Sequence, residues 1–332
     1  MDRKLHDELI VIDALEYSDW EREILEEIHR GGVTAINATL VLWETARETL
    51  HNIGEWNRRL RENADILMPV RTRGDVLAAK QAKKVGVIFG TQNTSLFEHD
   101  LDLVQIFHDL GVRVVQLTYN TQNLVGGSCY EEDSGLSRFG RNVIREMNRV
   151  GMVVDLSHVG ERTGMDAIKF SQRPVAVTHA NPKSFYNHRR NKSDELLEAL
   201  ADGGGIIGLS VYPHIAGPDQ SIGRWLDMVK RTVDLIGIEH VGIGSDTSRK
   251  WSDDWLIHWC RMGRWTHEVD YGAGTRENQG WAPWPKWYET PEGFPNITNG
   301  LVEAGFNRDE VAAIMGGNWL RVFGEGFEPT RA

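Results

Sequence analysis

His158 and His179 close two successive runs of β-branched residues, and Asp246 closes a later, glycine-lined one, VGIGSD. Adjacent parallel strands lie about 4.8 Å apart, so side chains at their ends can converge on one atom. Imidazole is the usual nitrogen ligand of zinc. The two histidines therefore predict a site for one divalent ion, zinc by ligand type. Asp246 would be a third ligand, or the base that takes a proton from a water on the ion. Residue types alone leave a second reading open, in which both histidines are simply buried and hydrogen-bonded. Ser157 forms no triad with His158, because neighbouring strand residues face opposite sides. Cys129 and Cys260 stand in no basic motif, and Glu131-Glu132-Asp133 reads as a solvated loop.

These groups need a frame that brings strand ends together. Short apolar runs recur at 9–13 (LIVID), 33–39, 85–90 and 112–118, and again at 152–157, 174–178, 205–211 and 241–245. Residues 66–70 supply a possible ninth. Most are continuous rather than alternating, the pattern of parallel strands covered on both faces. Helical spacing fills the gaps, for example at 18–30, 101–110, 140–150, 161–170, 194–202 and 223–235. Such alternation predicts a parallel sheet, closed as a (β/α)8 TIM-like barrel or open and doubly wound. No GxGxxG follows the first run, so a dinucleotide site gets no support. In a barrel, catalytic groups sit at the C-terminal ends of the strands, where these histidines fall.

The 332 residues carry a formal net charge of −11, which argues against a nucleic-acid partner. A single arginine can still hold a small carboxylate substrate. No stretch approaches about 18 consecutive apolar residues, and the first residues lack the pattern of a secretory signal. With two cysteines and no disulfide scaffold, a cytoplasmic protein with no membrane partner is expected. No linker divides the chain, so 1–332 reads as one domain. Residues 247–298 depart from the pattern. They hold seven of the twelve tryptophans (Trp251, Trp255, Trp259, Trp265, Trp281, Trp284 and Trp287) and four prolines. Long ordered excursions are usually functional, so this one is expected to be a cover for the barrel mouth or a subunit interface. Residues 299–325 then form a C-terminal helical segment, with a closing helix over 307–323.

Several segments resemble the membrane (renal) dipeptidase family, metallo-β/α-barrels of the amidohydrolase superfamily. They are FGRNVIREMNRVGMVVDLSHVG (139–160), PVAVTHAN (174–181), HRRNKSDELLEALADGGGIIGLSVYP (188–213), IEHVGIGSD (238–246) and IMGGNWLRVF (314–323). The resemblance implies a metal on His158 and His179, with Asp246 at the last-strand aspartate. It implies that Arg190 holds the substrate carboxylate, that Tyr212 contacts substrate, and that the protein forms a homodimer. The family holds two zinc ions, and here the chain departs from it. Leu15 and Tyr17 stand in place of the strand-one His-x-Asp ligands, Gln92 in place of the bridging glutamate, and Tyr119 in place of a catalytic histidine. A divergent bacterial dipeptidase-like subgroup lacking His-x-Asp is similar in these features.

Three readings result. In the first, one divalent ion sits on His158 and His179, with Gln92 as a weak further ligand. Asp246 is general base, Tyr119 donates to a developing oxyanion, and Arg190 clamps the carboxylate of a dipeptide or similar small molecule. The second is lyase or isomerase chemistry on an amino-acid derivative, with tryptophan faces receiving an ammonium group. The third is a non-catalytic binding protein on a decayed scaffold. Glu16 is a further candidate for a lost ligand, against the pleat parity of Leu15 and Tyr17.

Overall fold

The computed structural model describes residues 3–261 and 280–328. The apolar runs form nine parallel strands: β1 (Ile12–Glu16), β2 (Ala35–Thr39), β3 (Leu67–Val70), β4 (Val85–Thr91), β5 (Val112–Gln116), β6 (Val153–Asp155), β7 (Ala176–Ala180), β8 (Ile206–Leu209) and β9 (Val241–Ile243). They are ordered β1-β2-β4-β5-β6-β7-β8-β9. β3 pairs with Val85–Ile88 of β4, while β5 takes the remaining Phe89–Thr91. β3 is thus a side branch, and the other eight make a nearly closed barrel of TIM-like form. The seam joins β1 to the residues after β9. Glu16 bridges Thr247, the Ser245 amide donates to Asp13 Oδ1 at 2.7 Å, and the Asp246 amide donates to the Leu15 carbonyl at 3.2 Å.

The strands are apolar on both faces because both faces are covered. The outer faces pack on helices that run mostly from serine or threonine caps. Ser137, Ser193 and Ser221 each accept the amide three residues on, and Thr45 and Thr72 form capping boxes with Glu48 and Asp75. Toward the strand N-termini the inner faces meet in an apolar layer including Ile12, Ile88, Val114, Val153 and Ile206. Trp319 seals it, fully buried, with its indole N–H donating to the Ile243 carbonyl at 3.0 Å. A Cβ on Gly242 would come within 2.4 Å of that indole nitrogen, so the plug requires glycine there. Above this layer the inner faces turn polar, with buried Asn37, Gln116, Asp155 and Thr178.

Three expectations shift. The first strand starts at Ile12 rather than residue 9, because a short helix occupies Lys4–Glu8 and the chain is still leaving it at Leu9. It therefore ends at Glu16, and Tyr17 reaches the mouth. The helix expected from residue 18 begins at Arg22. The closing helix is interrupted: Arg308–Ala312 and Asn318–Gly326 flank a widened turn, Ala313–Gly317. There the backbone at Gly316 presses so close that a Cβ would lie 2.5 Å from the Ile10 carbonyl oxygen.

Part of the tryptophan-rich excursion is described. Trp251 and Trp255 stack at 4.0 Å. Trp287 packs on Trp225 at 5.8 Å and donates to the Gln220 carbonyl at 2.8 Å, anchoring the segment to the barrel flank. Trp265 lies outside the described residues. Among the described residues, no helix is long and apolar enough to cross a membrane.

Candidate active site

His158 stands on the turn after β6, and His179 within the last residues of β7. Their Nε2 atoms face each other at 3.1 Å. The other ring nitrogens explain why this matters. Nδ1 of His158 lies 2.7 Å from Asn120 Oδ1, which can only accept, so that nitrogen carries the proton. Nδ1 of His179 lies 2.8 Å from Thr178 Oγ1. The Thr178 hydroxyl donates to Asp155 Oδ2 at 2.6 Å, so it too receives a proton from the imidazole. Both Nε2 atoms then present lone pairs to each other. Two lone pairs in contact repel unless a cation lies between them. Protonating either ring is disfavoured: burial first, then the positive Arg190, hold both far below the ordinary histidine range.

A metal ion resolves this contact. Two Zn–N bonds of about 2.05 Å at a tetrahedral angle put the nitrogens roughly 3.3 Å apart, close to the observed separation. The residues therefore fit one divalent ion. Among the described residues no three His, Cys, Asp or Glu side chains gather at one point, and Leu15 and Tyr17 offer no strand-one ligand set. Asp246 lines the same cavity as His158 without completing a three-residue ligand set.

The network that orients the histidines was hidden in the sequence. Asp155, fully enclosed, accepts from the Ser157 hydroxyl at 2.6 Å, from the Thr178 hydroxyl and from two backbone amides. Burial raises its pKa and these bonds counter the rise. The Ser157 hydroxyl in turn receives the His179 amide at 3.0 Å. Ser157 is thus a scaffold for His179 rather than a partner of His158. The available signal was the pairing of Asp155-x-Ser157 with Thr178-His179. Asn120, with φ 57°, holds His158 while its own Nδ2 donates to the Cys260 carbonyl at 3.0 Å, linking the excursion to the imidazole. Only its position after a strand end could have marked it.

Most of the expected site residues share one cavity. Gln92, Tyr119, His158, Arg190, Tyr212 and Asp246 all line it. His179, wholly buried, lies behind His158 and does not. Tyr119 lies against His158, ring centres 4.4 Å apart. Gln92 spends its amide nitrogen on Thr39 Oγ1 at 3.1 Å, which leaves its carbonyl oxygen as the donor atom. Arg190 is 4% exposed and anchored twice, donating to the carbonyls of Ser157 and His179, the latter at 3.0 Å. Each terminal nitrogen keeps a second hydrogen for a ligand. Tyr17 and Tyr130, which sequence reasoning did not assign, also line the space.

Asp246 adopts φ 62°, a strained conformation for a non-glycine residue. It is partly buried and lines the cavity. Burial pushes its carboxyl up to about 7; Arg190 pulls the other way, and Asp13 and Asp155 add to the rise. Glu16 does not line this cavity. It is fully buried away from this cavity, its carboxyl oxygens have no hydrogen-bond partner, and burial and then Asp13 hold it well above the ordinary carboxylate range. Cys129 does have cationic neighbours in space, Arg190 and Lys192, yet burial outweighs them and raises its thiol. Of the acidic loop, Glu131 and Glu132 are exposed as expected, while Asp133 turns inward to bond Thr163.

The cavity is small, about 70 Å³. Leu256, Cys260 and Trp281 of the excursion form part of its wall.

Comparison with known proteins gives the family and the fold. Residues 21–252 match the model of the membrane dipeptidase family, peptidase family M19. This chain belongs to that family. An amidohydrolase from Pseudomonas aeruginosa of solved structure is 38% identical, with 98% of each chain covered and a TM-score of 0.92. A metallo peptidase from Rhodobacter sphaeroides, solved with a phosphinate mimic of L-Ala-D-Ala, shares the fold at 18% identity and a TM-score of 0.78, covering 96% of this chain and 99% of that one. Dipeptidase tcpJ of Claviceps purpurea is 29% identical over 285 residues, 84% of this chain and 60% of its own. The chain thus spans about 60% of the length of the first curated relatives it matches.

Proposed function

We propose that this member of the family is a hydrolase acting on a dipeptide or similar small amino-acid-like molecule with a free carboxylate, and that it works with one divalent ion, zinc by donor type, held by His158 and His179. The observation that carries this reading is the opposed pair of Nε2 lone pairs at 3.1 Å. The ion, when bound, supplies Lewis acidity toward a carbonyl and a water. The chain's own groups do the rest. Arg190 offers its remaining guanidinium hydrogens to the substrate carboxylate. Asp246, with its pKa near neutrality, accepts a proton and returns it to the leaving amine. The Tyr119 hydroxyl, kept protonated by burial, donates to the developing oxyanion. Tyr212 packs on substrate, and Gln92 Oε1 is the candidate weak ligand.

The excursion contributes Leu256, Cys260 and Trp281 to the cavity wall, which supports a role as a cover that excludes water. We assign the whole chain to one barrel domain, working in the cytoplasm as a homodimer. The deciding experiment is metal analysis of the purified protein beside His158→Ala and His179→Ala, with a dipeptide panel on each. One ion per chain, lost in both variants together with hydrolysis, is expected. Two ions per chain would overturn the single-ion reading. A protein without metal or hydrolysis, but with ligand binding unaffected by either substitution, would be the binding module instead.

A further inference from the structure

A second and larger cavity opens beside the mouth, against the C-terminal ends of β1 and β2. Its volume is about 400 Å³, within the roughly 300–1,000 Å³ typical of small-molecule sites. Six of its wall residues are aromatic: Tyr17, Trp20, Trp56, Trp251, Trp255 and Trp259. They come from two distant parts of the chain, so the fold assembles this wall. Three carboxylates, Asp19, Glu44 and Glu55, face the same space with one guanidinium, Arg59.

Among the described lining residues the charges do not cancel. Glu55 pairs with Arg58 at 2.7 Å and reaches Arg59 at 3.8 Å. Among the described residues, Asp19 and Glu44 form no ion pair. Glu44 accepts the backbone amides of Leu42 and Trp43 at 2.7 and 2.9 Å, which fixes its carboxylate in place without neutralising it. One ring here already receives a cation, since the Arg59 guanidinium carbon lies 5.4 Å from the Trp56 ring centre. Aromatic faces in a surplus of negative charge attract an organic cation and repel an anion. An inorganic ion would gain little from indole walls, and a neutral apolar ligand would gain nothing from the carboxylates.

We propose that this cavity is a binding site for an organic ammonium ion, of the quaternary or highly methylated kind. It is separate from the histidine cavity, with which it shares Tyr17, and does not depend on metal chemistry there. The probe is choline chloride, titrated into the full chain at fixed ionic strength and followed by tryptophan fluorescence. The control is choline's uncharged tert-butyl analogue. Saturable binding of choline is expected, with the analogue weaker by about tenfold, a difference of about 1.4 kcal/mol. Trp255→Ala and Asp19→Asn, both partly or fully exposed positions, should each weaken choline by about threefold or more. His158→Ala should leave it unchanged, which separates this site from the catalytic reading. Absence of saturation, equal binding of the neutral analogue, or unchanged binding in both cavity variants would overturn the proposal.

Discussion

Asp246→Asn provides a quantitative test of the site's electrostatics. Asp246 titrates at about 7 in the folded protein against 3.8 for the free group. At 1.36 kcal/mol per unit, the roughly three-unit rise bounds the effect at about 4 kcal/mol. The residue is only partly buried, so screening should reduce this to about 1–3 kcal/mol. The sign follows from proton counting. The unfolded chain releases this proton near pH 4, while the folded chain keeps it until near pH 7. Between those values the folded state holds more protons, so wild-type stability falls as pH rises. Asparagine, similar in shape, carries no such penalty. Urea unfolding of chelator-treated protein, followed by fluorescence, should show the variant level with wild type near pH 4. The variant should be more stable by about 1–3 kcal/mol near pH 8. A gap independent of pH, or wild type gaining as pH rises, would refute the argument. It would mean that Arg190 outweighs burial and keeps Asp246 ionised. Activity has the opposite slope. As a base Asp246 must be ionised, so kcat/KM should climb with pH, at a lower pH than the carboxyl titrates in the metal-free protein because a bound divalent ion favours the carboxylate, and the same burial that makes it a useful base costs stability.

Three further outcomes follow from particular contacts. Trp319→Ala removes the plug of the barrel floor and should cost about 3–5 kcal/mol, read as a lowered urea midpoint. Asn120→Ala removes the acceptor that fixes His158 Nδ1–H. Metal affinity, measured by competition with a chromophoric chelator, should fall by about 10–100-fold. Fold stability should change far less. Arg190→Lys keeps the charge and loses the fork that bonds two backbone carbonyls while leaving hydrogens for a ligand. KM for a dipeptide with a free carboxylate should rise by about tenfold or more, and hydrolysis of its methyl ester should be much less affected. Equal losses on acid and ester would remove Arg190 from carboxylate recognition.

The strands were legible because a strand covered on both faces is apolar along most of its length. Runs such as VGVIF show this directly, and all nine observed strands overlap an expected run. The apolar run begins three residues before the first strand because Leu9 and Val11 are as buried as strand residues while a helix still governs the backbone before them. Burial and strand pairing are different demands, and apolar residue types report only the first. His158 and His179 were found by asking what stands at strand ends. Asp155 and Thr178, which orient His179, look from their types like ordinary strand-end polar residues.

The seven tryptophans of the excursion divide in a way their clustering did not show. Trp287 anchors the segment to the flank, Trp281 walls the histidine cavity, and Trp251 with Trp255 builds the second cavity. Residue types along the chain were enough to predict a parallel sheet and the strand ends that carry its chemistry; the resemblance to the dipeptidase family added the closed barrel and the departures at Leu15, Tyr17 and Gln92. Only the folded molecule decided that two Nε2 lone pairs meet, that Asp246 titrates near neutrality, and that six aromatic residues converge beside three carboxylates. Each of these depends on side chains brought together across neighbouring strands and loops, from β6 beside β7 for the histidines to the two distant segments that wall the second cavity. Local patterning encodes burial and backbone preference, but not which distant partner will lie opposite.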